Sequence, residues 1–366
     1  MTSAERVAVV GTGLIGTSIA MAATRAGDQV RGFDTDAAVL AAAAERSGLV
    51  PSETVEENVR GATLVFVCTP IPSVSEVVIE ALQRAPDAVV TDVGSVKSHV
   101  ILEVEAKARA EDLGRYVGGH PMGGSERSGP GHASPSILDG IVWVLAAGSR
   151  TDETATARVE AWATKVGSRP VRMDAERHDR LVAVVSHLPQ VASTALMGLA
   201  AIEEAGEPEI LLLAAGGFRD LTRLAASSPH LWSDILLANP EAIAGAVDRY
   251  VERLVLLRDQ VLAGDAPGVE ATFADAKAAR LTLAAKPQVK AGVAVLQVPV
   301  PDRPGVLAEI TTLASDLGVN IADMEIAHSS EGQAGVVILL VESDLAERFR
   351  GGLLARGYRP GVRNLE

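Results

Sequence analysis

The segment Gly11-Thr12-Gly13-Leu14-Ile15-Gly16 limits the possible folds of this chain more than any other. It follows the apolar run Val7–Val10 and precedes an Ala-rich helical pattern, Ser18–Ala26, so a strand turns into a helix here. The spacing suits that turn. Gly11 permits a tight bend, Gly13 lets the backbone approach a pyrophosphate, and Gly16 allows close helix–strand packing, with the helix N-terminus facing the anion. Gly11, Gly13, Leu14, Ile15 and Gly16 are therefore candidate cofactor-binding residues. A second apolar run, Val30–Asp34, ends in an acid 18 residues after Gly16. An acid there binds ribose hydroxyls and repels the extra phosphate of NADP, so the expected cofactor is NAD, with Asp34 as its selector.

Further apolar, β-branched runs occur at Leu64–Thr69, Val89–Val93, Tyr116–Gly119 and Ile141–Ala146. Their near-continuous apolar character suits strands buried on both faces, and their alternation with helical patterns predicts an α/β, doubly wound parallel sheet over residues 1–172. From Met173 the strand signals stop. Long helical patterns, Ala175–Ala205 and Glu241–Leu262, predict an all-helical domain over 173–285. Pro189 deprives the Val185 carbonyl of its usual donor, so a kink is expected there. Ala284-Ala285-Lys286-Pro287 reads as a linker. Beyond it the order strand, helix, strand, strand, helix, strand predicts a ferredoxin-like βαββαβ domain over 286–366.

Composition excludes some functions. Of 366 residues, 33 are Lys or Arg and 47 Asp or Glu, giving a net charge of −14, and aromatics are 3%. Such a chain repels phosphate backbones and offers few rings for base stacking, so no nucleic-acid partner is expected. The single cysteine, Cys68, rules out an internal disulfide framework and a Cys-rich zinc site, and no metal is expected. The N-terminus lacks a signal-peptide layout, and no apolar run reaches the ~20 residues of a bilayer span. The expected setting is cytoplasmic, without membrane contact.

Candidate chemistry clusters at the carboxyl ends of the strands, where ligands bind in such sheets. Thr69 and Pro70, after Cys68, either border the nicotinamide ribose or simply end a strand. Cys68 itself is expected to pack as a small apolar group. Thr91-Asp92-Val93-Gly94-Ser95-Val96-Lys97 and Gly118-Gly119-His120-Pro121-Met122-Gly123-Gly124-Ser125-Glu126 read as two glycine-lined loops leaving one sheet edge, which brings Gly94, Ser95, His120 and Glu126 to the cofactor side. Oxidising an alcohol by hydride removal needs a base, and neutral histidine suits that near pH 7, so His120 is the candidate. In the helical region, Ser186-His187-Leu188-Pro189-Gln190 and Gly216-Gly217-Phe218-Arg219-Asp220-Leu221-Thr222-Arg223 stand out. Arg219 suits bidentate carboxylate binding, or else belongs to a surface cluster Arg219–Asp220–Arg223. His187 is a pocket residue or a satisfied buried histidine. In the last domain, Pro304 suits a first helical turn and Gly305 lets a small ligand approach the backbone.

Taken together, these motifs resemble the prephenate/arogenate dehydrogenase family of tyrosine biosynthesis, in order over roughly residues 5–285, including Leu231-Trp232-Ser233-Asp234-Ile235 with Asn239. Residues from about 291 resemble an ACT domain, through Asp302-Arg303-Pro304-Gly305-Val306-Leu307 and Gly318-Val319-Asn320-Ile321. The resemblance implies a Rossmann-type domain, a helical dimerisation domain and hence a homodimer. It implies oxidative decarboxylation of prephenate to 4-hydroxyphenylpyruvate, with His120 taking the C4 hydroxyl proton as hydride passes from C4 to NAD. Arogenate, yielding tyrosine, is the alternative substrate. A non-catalytic amino-acid sensor is the alternative from a different class. By the same resemblance Ser95 bonds the hydroxyl or orients His120, Arg219 holds the ring carboxylate, Glu126 pairs with Arg219 as a gate, Lys97 adds positive potential near the substrate, and His187 supports the pocket. Gln190 stands where several family members carry a second histidine near the substrate side chain. In an ACT domain, Asp302, Pro304, Gly305, Val306, Leu307 and Asn320 would bind an effector, tyrosine or phenylalanine.

Overall fold

A computed structural model describes residues 4–123, 129–207, 209–284, 293–301, 303–328 and 334–365. Two compact units are present, Met1–Glu252 and Arg253–Glu366. The first is built on an eight-stranded sheet: β1 (Arg6–Val10), β2 (Gln29–Phe33), β3 (Val50–Pro51), β4 (Leu64–Val67), β5 (Val89–Asp92), β6 (Tyr116–Pro121), β7 (Val142–Ala147) and β8 (Arg169–Arg172). The order is β3-β2-β1-β4-β5-β6-β7-β8, with the reversal of strand order beside β1.

Helices α1 (Leu14–Arg25), α2 (Ala37–Ser47), α3 (Val55–Val59), α4 (Ile71–Arg84), α5 (Ser98–Lys107) and α6 (Glu153–Lys165) cover the sheet. One apolar layer joins Ile19, Ala23, Phe66, Trp143 and Trp162; the other joins Val65, Val74, Val78, Val90, Val100 and Tyr116. Local signals set the helix ends. Asp36 caps α2 by accepting from Ala38 N at 2.8 Å, and Gly48 ends it with φ of 73°, a left-handed conformation that glycine adopts without steric cost.

Three expectations need correction. The sheet is not wholly parallel, because β6 and β7 run antiparallel. The connecting stretch contains, among the described residues, only short 3₁₀ turns at Pro130–His132 and Pro135–Leu138. A parallel partner would require a crossover, usually a helix. The edge strands β3 and β8 were not expected; at two and four residues they are too short to carry a period-2 signal. Finally, His120 lies within β6, not in a loop: its residue pairs with Val144 of β7, which extends the strand to Pro121.

The rest of the first unit is helical: α7 (Ala175–Val182), α8 (Leu188–Glu203), α9 (Glu209–Leu212), α10 (Gly216–Thr222), a 3₁₀ turn Arg223–Ala226, α11 (Pro229–Leu237), and the start of α12 (Pro240–Leu262). The disturbance expected at Pro189 takes the form of a π-helical turn, Ala183–His187, which absorbs the missing N–H by one wider turn. Ala175–Glu203 is in fact long and apolar enough to cross a bilayer by length and composition. Its inward face, however, carries buried His178, Asp179, His187 and Gln190.

The second unit holds the end of α12, α13 (Ala266–Ala284), and a four-stranded antiparallel sheet ordered β10-β11-β9-β12. Its strands are β9 (Val293–Pro301), β10 (Ile321–His328), β11 (Ala334–Glu342) and β12 (Gly361–Leu365). Helices α14 (Val306–Asp316) and α15 (Ser343–Ala355) cover one face through Ile310, Leu313, Phe349 and Leu353. This is the βαββαβ arrangement. Residues 285–287 of the expected linker lie outside the described residues.

Candidate active site

The glycine turn has the form its spacing demands. Gly11 has φ of 89°, and a Cβ there would meet the Cys68 carbonyl oxygen at 2.6 Å, so β1 and β4 end in close contact. A Cβ on Gly16 would sit 1.9 Å from the Gly11 oxygen. Gly13 differs: a Cβ there meets nothing within 4 Å, although the residue caps α1 without a side-chain partner. The space over Gly13 is thus a cradle at a helix N-terminus, where an anion fits. Asp34 accepts from Thr12 N at 2.7 Å and from Asp36 N at 3.0 Å, which fixes its carboxylate beside that turn. The Thr69 hydroxyl is buried and has no partner among the described residues, and Pro70 caps α4. A polar cradle, a fixed acid and an orphan hydroxyl at one sheet edge fit a dinucleotide. The Cys68 thiol is pushed far up by burial, so it is no nucleophile.

A buried polar group braces the next two strands. Asp92, at the end of β5, accepts from Lys97 Nζ, from Tyr116 Oη at 2.7 Å, from Gly94 N at 2.8 Å and from Gly119 N at 3.3 Å. Lys97 Nζ also donates to the Gly119 carbonyl at 2.7 Å. Both Lys97 and Asp92 are 0% exposed. The ammonium of Lys97 thus lies inside, tying β5 to β6 one residue before His120, and from there its positive charge is felt at that imidazole. Tyr116 stays protonated as the donor, since burial and then Asp92 push its phenol up.

His120 Nδ1 lies 2.8 Å from His178 Nε2 on α7, and the rings meet edge to face. His178 Nδ1 in turn lies 2.8 Å from Asp179 Oδ1. Asp179 also accepts from Lys97 N at 2.9 Å and Ser98 N at 2.8 Å, at the start of α5. Burial pushes the Asp179 carboxyl up, but His178 and these two N–H groups hold it below its usual range. Burial above all, and then the charge of Lys97, keep His120 well below the ordinary histidine range. His120 therefore stays neutral, as a base must. The partner that orients it is His178, not Ser95, which corrects one of the two roles expected of Ser95. Ser95 lies half-buried in the β5–α5 loop, with no side-chain partner among the described residues. His178 and Asp179 were not anticipated.

The chain of contacts continues into the helices. Asn239 Nδ2 donates to the Asp179 carbonyl at 3.0 Å and lies 3.4 Å from His187 Nδ1. His187 is buried edge-on to Trp232, and burial pushes it down to about 4. Gln190, one helical turn further on, donates to the Leu224 carbonyl at 2.9 Å. That bond fixes its amide orientation and leaves Oε1 buried without a partner among the described residues. Ser193 Oγ accepts from Ala225 N at 3.0 Å, so α8 holds the turn that follows α10. Arg219 lies exposed on α10, and among the described residues it forms no ion pair, including with Asp220. The surface-cluster alternative thus has no pairing behind it. Glu126 lies outside the described residues.

In the second unit, Gly305 caps α14 with φ of 92°, so Pro304 precedes the helix and does not form its first turn. Val306 is 4% exposed and packs in the core, so its side chain cannot face an effector. Leu307 and Asn320 are exposed, and Asp302 lies outside the described residues.

Three family descriptions match in succession: the prephenate dehydrogenase nucleotide-binding domain at residues 19–172, the prephenate dehydrogenase dimerization domain at 174–275, and the ACT domain at 294–348. Prephenate dehydrogenase of Bacillus subtilis is 31% identical over 349 residues, covering 93% of each chain. The chain belongs to the prephenate dehydrogenase family. A cyclohexadienyl dehydrogenase of Zymomonas mobilis is 32% identical over 77% of this chain and 97% of its own. Among solved structures, prephenate dehydrogenase from A. aeolicus, in complex with hydroxyphenyl propionate and NAD+, superposes with a TM-score of 0.72. It is 27% identical and covers 77% of this chain and 99% of its own. Synechocystis arogenate dehydrogenase gives 0.66 at 26% identity, covering 76% and 99%. As a family member with a nucleotide-binding domain, the chain is an enzyme, not a bare sensor.

Proposed function

We propose that the protein is an NAD-dependent dehydrogenase that oxidatively decarboxylates prephenate to 4-hydroxyphenylpyruvate. The observation that carries this is His120: a neutral, partly buried imidazole at the carboxyl end of β6, with Nδ1 engaged and Nε2 without a partner among the described residues. Gly11, Gly13, Leu14, Ile15, Gly16, Asp34, Thr69, Pro70 and Gly94 would hold the cofactor, which when bound supplies the hydride acceptor. His120 Nε2 takes the proton of the C4 hydroxyl as C4 is oxidised. The ring C1–carboxylate bond then breaks, and its electron pair completes the aromatic ring as CO₂ leaves. Ser95, whose hydroxyl has no partner among the described residues, donates to the substrate oxygen. Arg219, exposed on α10 and without an ion pair among the described residues, binds the ring carboxylate, a charge-assisted contact stronger than a neutral hydrogen bond.

We further infer a cytoplasmic homodimer. A single cysteine suits a reducing compartment. The exposed apolar side chains Leu181, Val184, Val185, Leu199 and Ile202 on the α7–α8 face would be covered by a second copy. The ACT domain takes an amino-acid effector, tyrosine or phenylalanine, near Gly305, Leu307 and Asn320.

One observation favours arogenate as an alternative: Gln190 Oε1, without a partner among the described residues, would accept from an ammonium donor on the substrate side chain. Initial rates of NADH formation with each substrate decide the matter. The expected result is turnover of prephenate. A preference for arogenate of about 100-fold, some 2.7 kcal/mol in transition-state binding, would overturn it.

A further inference from the structure

We propose that His178 and Asp179 are positioning residues that set the tautomer of His120 and so leave its Nε2 as the free base. This deepens the proposed function and rests on it for the identity of the base. Asp179 accepts from two backbone N–H groups at the entry of α5 and is held ionised, so it has no proton to give. The 2.8 Å contact to His178 is then a bond donated by His178 Nδ1–H. In neutral His178 that leaves Nε2 as an acceptor. The 2.8 Å contact to His120 is therefore donated by His120 Nδ1–H. With its one proton on Nδ1, neutral His120 presents a lone pair at Nε2. Had His178 donated from Nε2 instead, His120 would carry its proton on Nε2 and accept nothing from a substrate hydroxyl.

The same chain serves the protonated state. When His120 Nε2 takes a proton, the imidazolium keeps its Nδ1–H bond to His178, which keeps its own to the carboxylate. The new charge is thus stabilised through one neutral ring by Asp179, without a second proton transfer. The geometry is built rather than incidental. His178 is 1% and Asp179 4% exposed, and the carboxylate is fixed by the N–H of Lys97, whose ammonium also fixes the Gly119 carbonyl beside His120.

The test uses the full chain, with ring-¹⁵N histidine, and a long-range ¹H–¹⁵N correlation at pH 8. The His120 signals are assigned by their loss in His120→Asn. The expected spectrum shows His120 protonated on Nδ1; protonation on Nε2 overturns the proposal, whatever the enzyme turns over. In kinetics, His178→Leu removes the acceptor, and kcat should fall on the order of 10²-fold, the low end of what a general base contributes, with substrate KM within about threefold. His178→Gln places an amide oxygen where Nε2 was and should recover at least about a tenth of wild-type kcat. A leucine variant with unchanged kcat, or one with raised KM alone, overturns the proposal, as does glutamine no better than leucine. If neither variant folds, the wild-type spectrum decides alone. Failure to oxidise either substrate in the wild type refutes the proposed function instead, and leaves the tautomer result standing by itself.

Discussion

Replacing Lys97 with methionine removes one charge from a buried pair and leaves the other behind. Asp92 would stay fully buried with three donors, Tyr116 Oη, Gly94 N and Gly119 N, while the Gly119 carbonyl would lose its ammonium. Breaking a buried pair on one side costs about 3–5 kcal/mol, because the remaining charge is desolvated without compensation. The three surviving donors to Asp92 put the expected value near the lower end, about 3 kcal/mol. For a unit of this size each kcal/mol moves Tm by about 2–4 °C, so a drop of roughly 6–12 °C follows. Urea unfolding followed by tryptophan fluorescence reads it, since Trp143 and Trp162 are buried against Phe66 in the same unit. The double variant Asp92→Asn/Lys97→Met buries no charge and should be more stable than Lys97→Met, with a coupling above about 1 kcal/mol. A loss under about 1 kcal/mol for Lys97→Met would refute the brace and return the lysine to the solvent or substrate side.

Other outcomes follow from the same geometry. Gly13→Ala should fold normally, since its Cβ meets no protein atom, yet raise the Kd for NAD at least about tenfold by crowding the cradle; Gly16→Ala should unfold the turn itself. Equal cofactor affinity in Gly13→Ala, by isothermal titration, would place the pyrophosphate elsewhere. Asp34→Ser should shift the NAD/NADP preference toward NADP, and an unchanged ratio would remove Asp34 from the ribose. With His120 held well below 6.5 by burial, the acid limb of kcat/KM should fall below that value; a limb at or above it would contradict the neutral base. His187, pushed down to about 4, adds a stability term of definite sign. The unfolded chain takes up the proton first, so stability is complete above about pH 6.5 and falls as pH drops from there toward 4. Denaturant melts across that window that show no decline would contradict its burial as a neutral ring.

Much of the fold was legible because its signals are local. Glycine spacing, continuous apolar runs and the return of strands near Val293 each depend on a few neighbouring residues. The antiparallel β6–β7 pair was legible in principle: Pro130, Pro135 and several glycines interrupt residues 122–141, a composition that disfavours the helix a parallel crossover needs. The site was legible where it follows a strand, as at His120, and illegible where partners come from afar. Lys97 looked like a loop cation because its partners, Gly119 and Tyr116, sit on another strand. His178 and Asp179 carry no glycine or proline signature. Their only local sign is that they share the buried side of α7 with Val182, a polar pair on an inward stripe.

The most direct test of the central claim is a crystal structure with NAD+ and 4-hydroxyphenylpyruvate bound. The imidazole Nε2 of His120 should lie about 2.6–3.2 Å from the phenol oxygen, with Nδ1 still on His178 and Arg219 lining the same cavity. A phenol oxygen held by another group, with His120 and Arg219 opening into separate cavities, would contradict it.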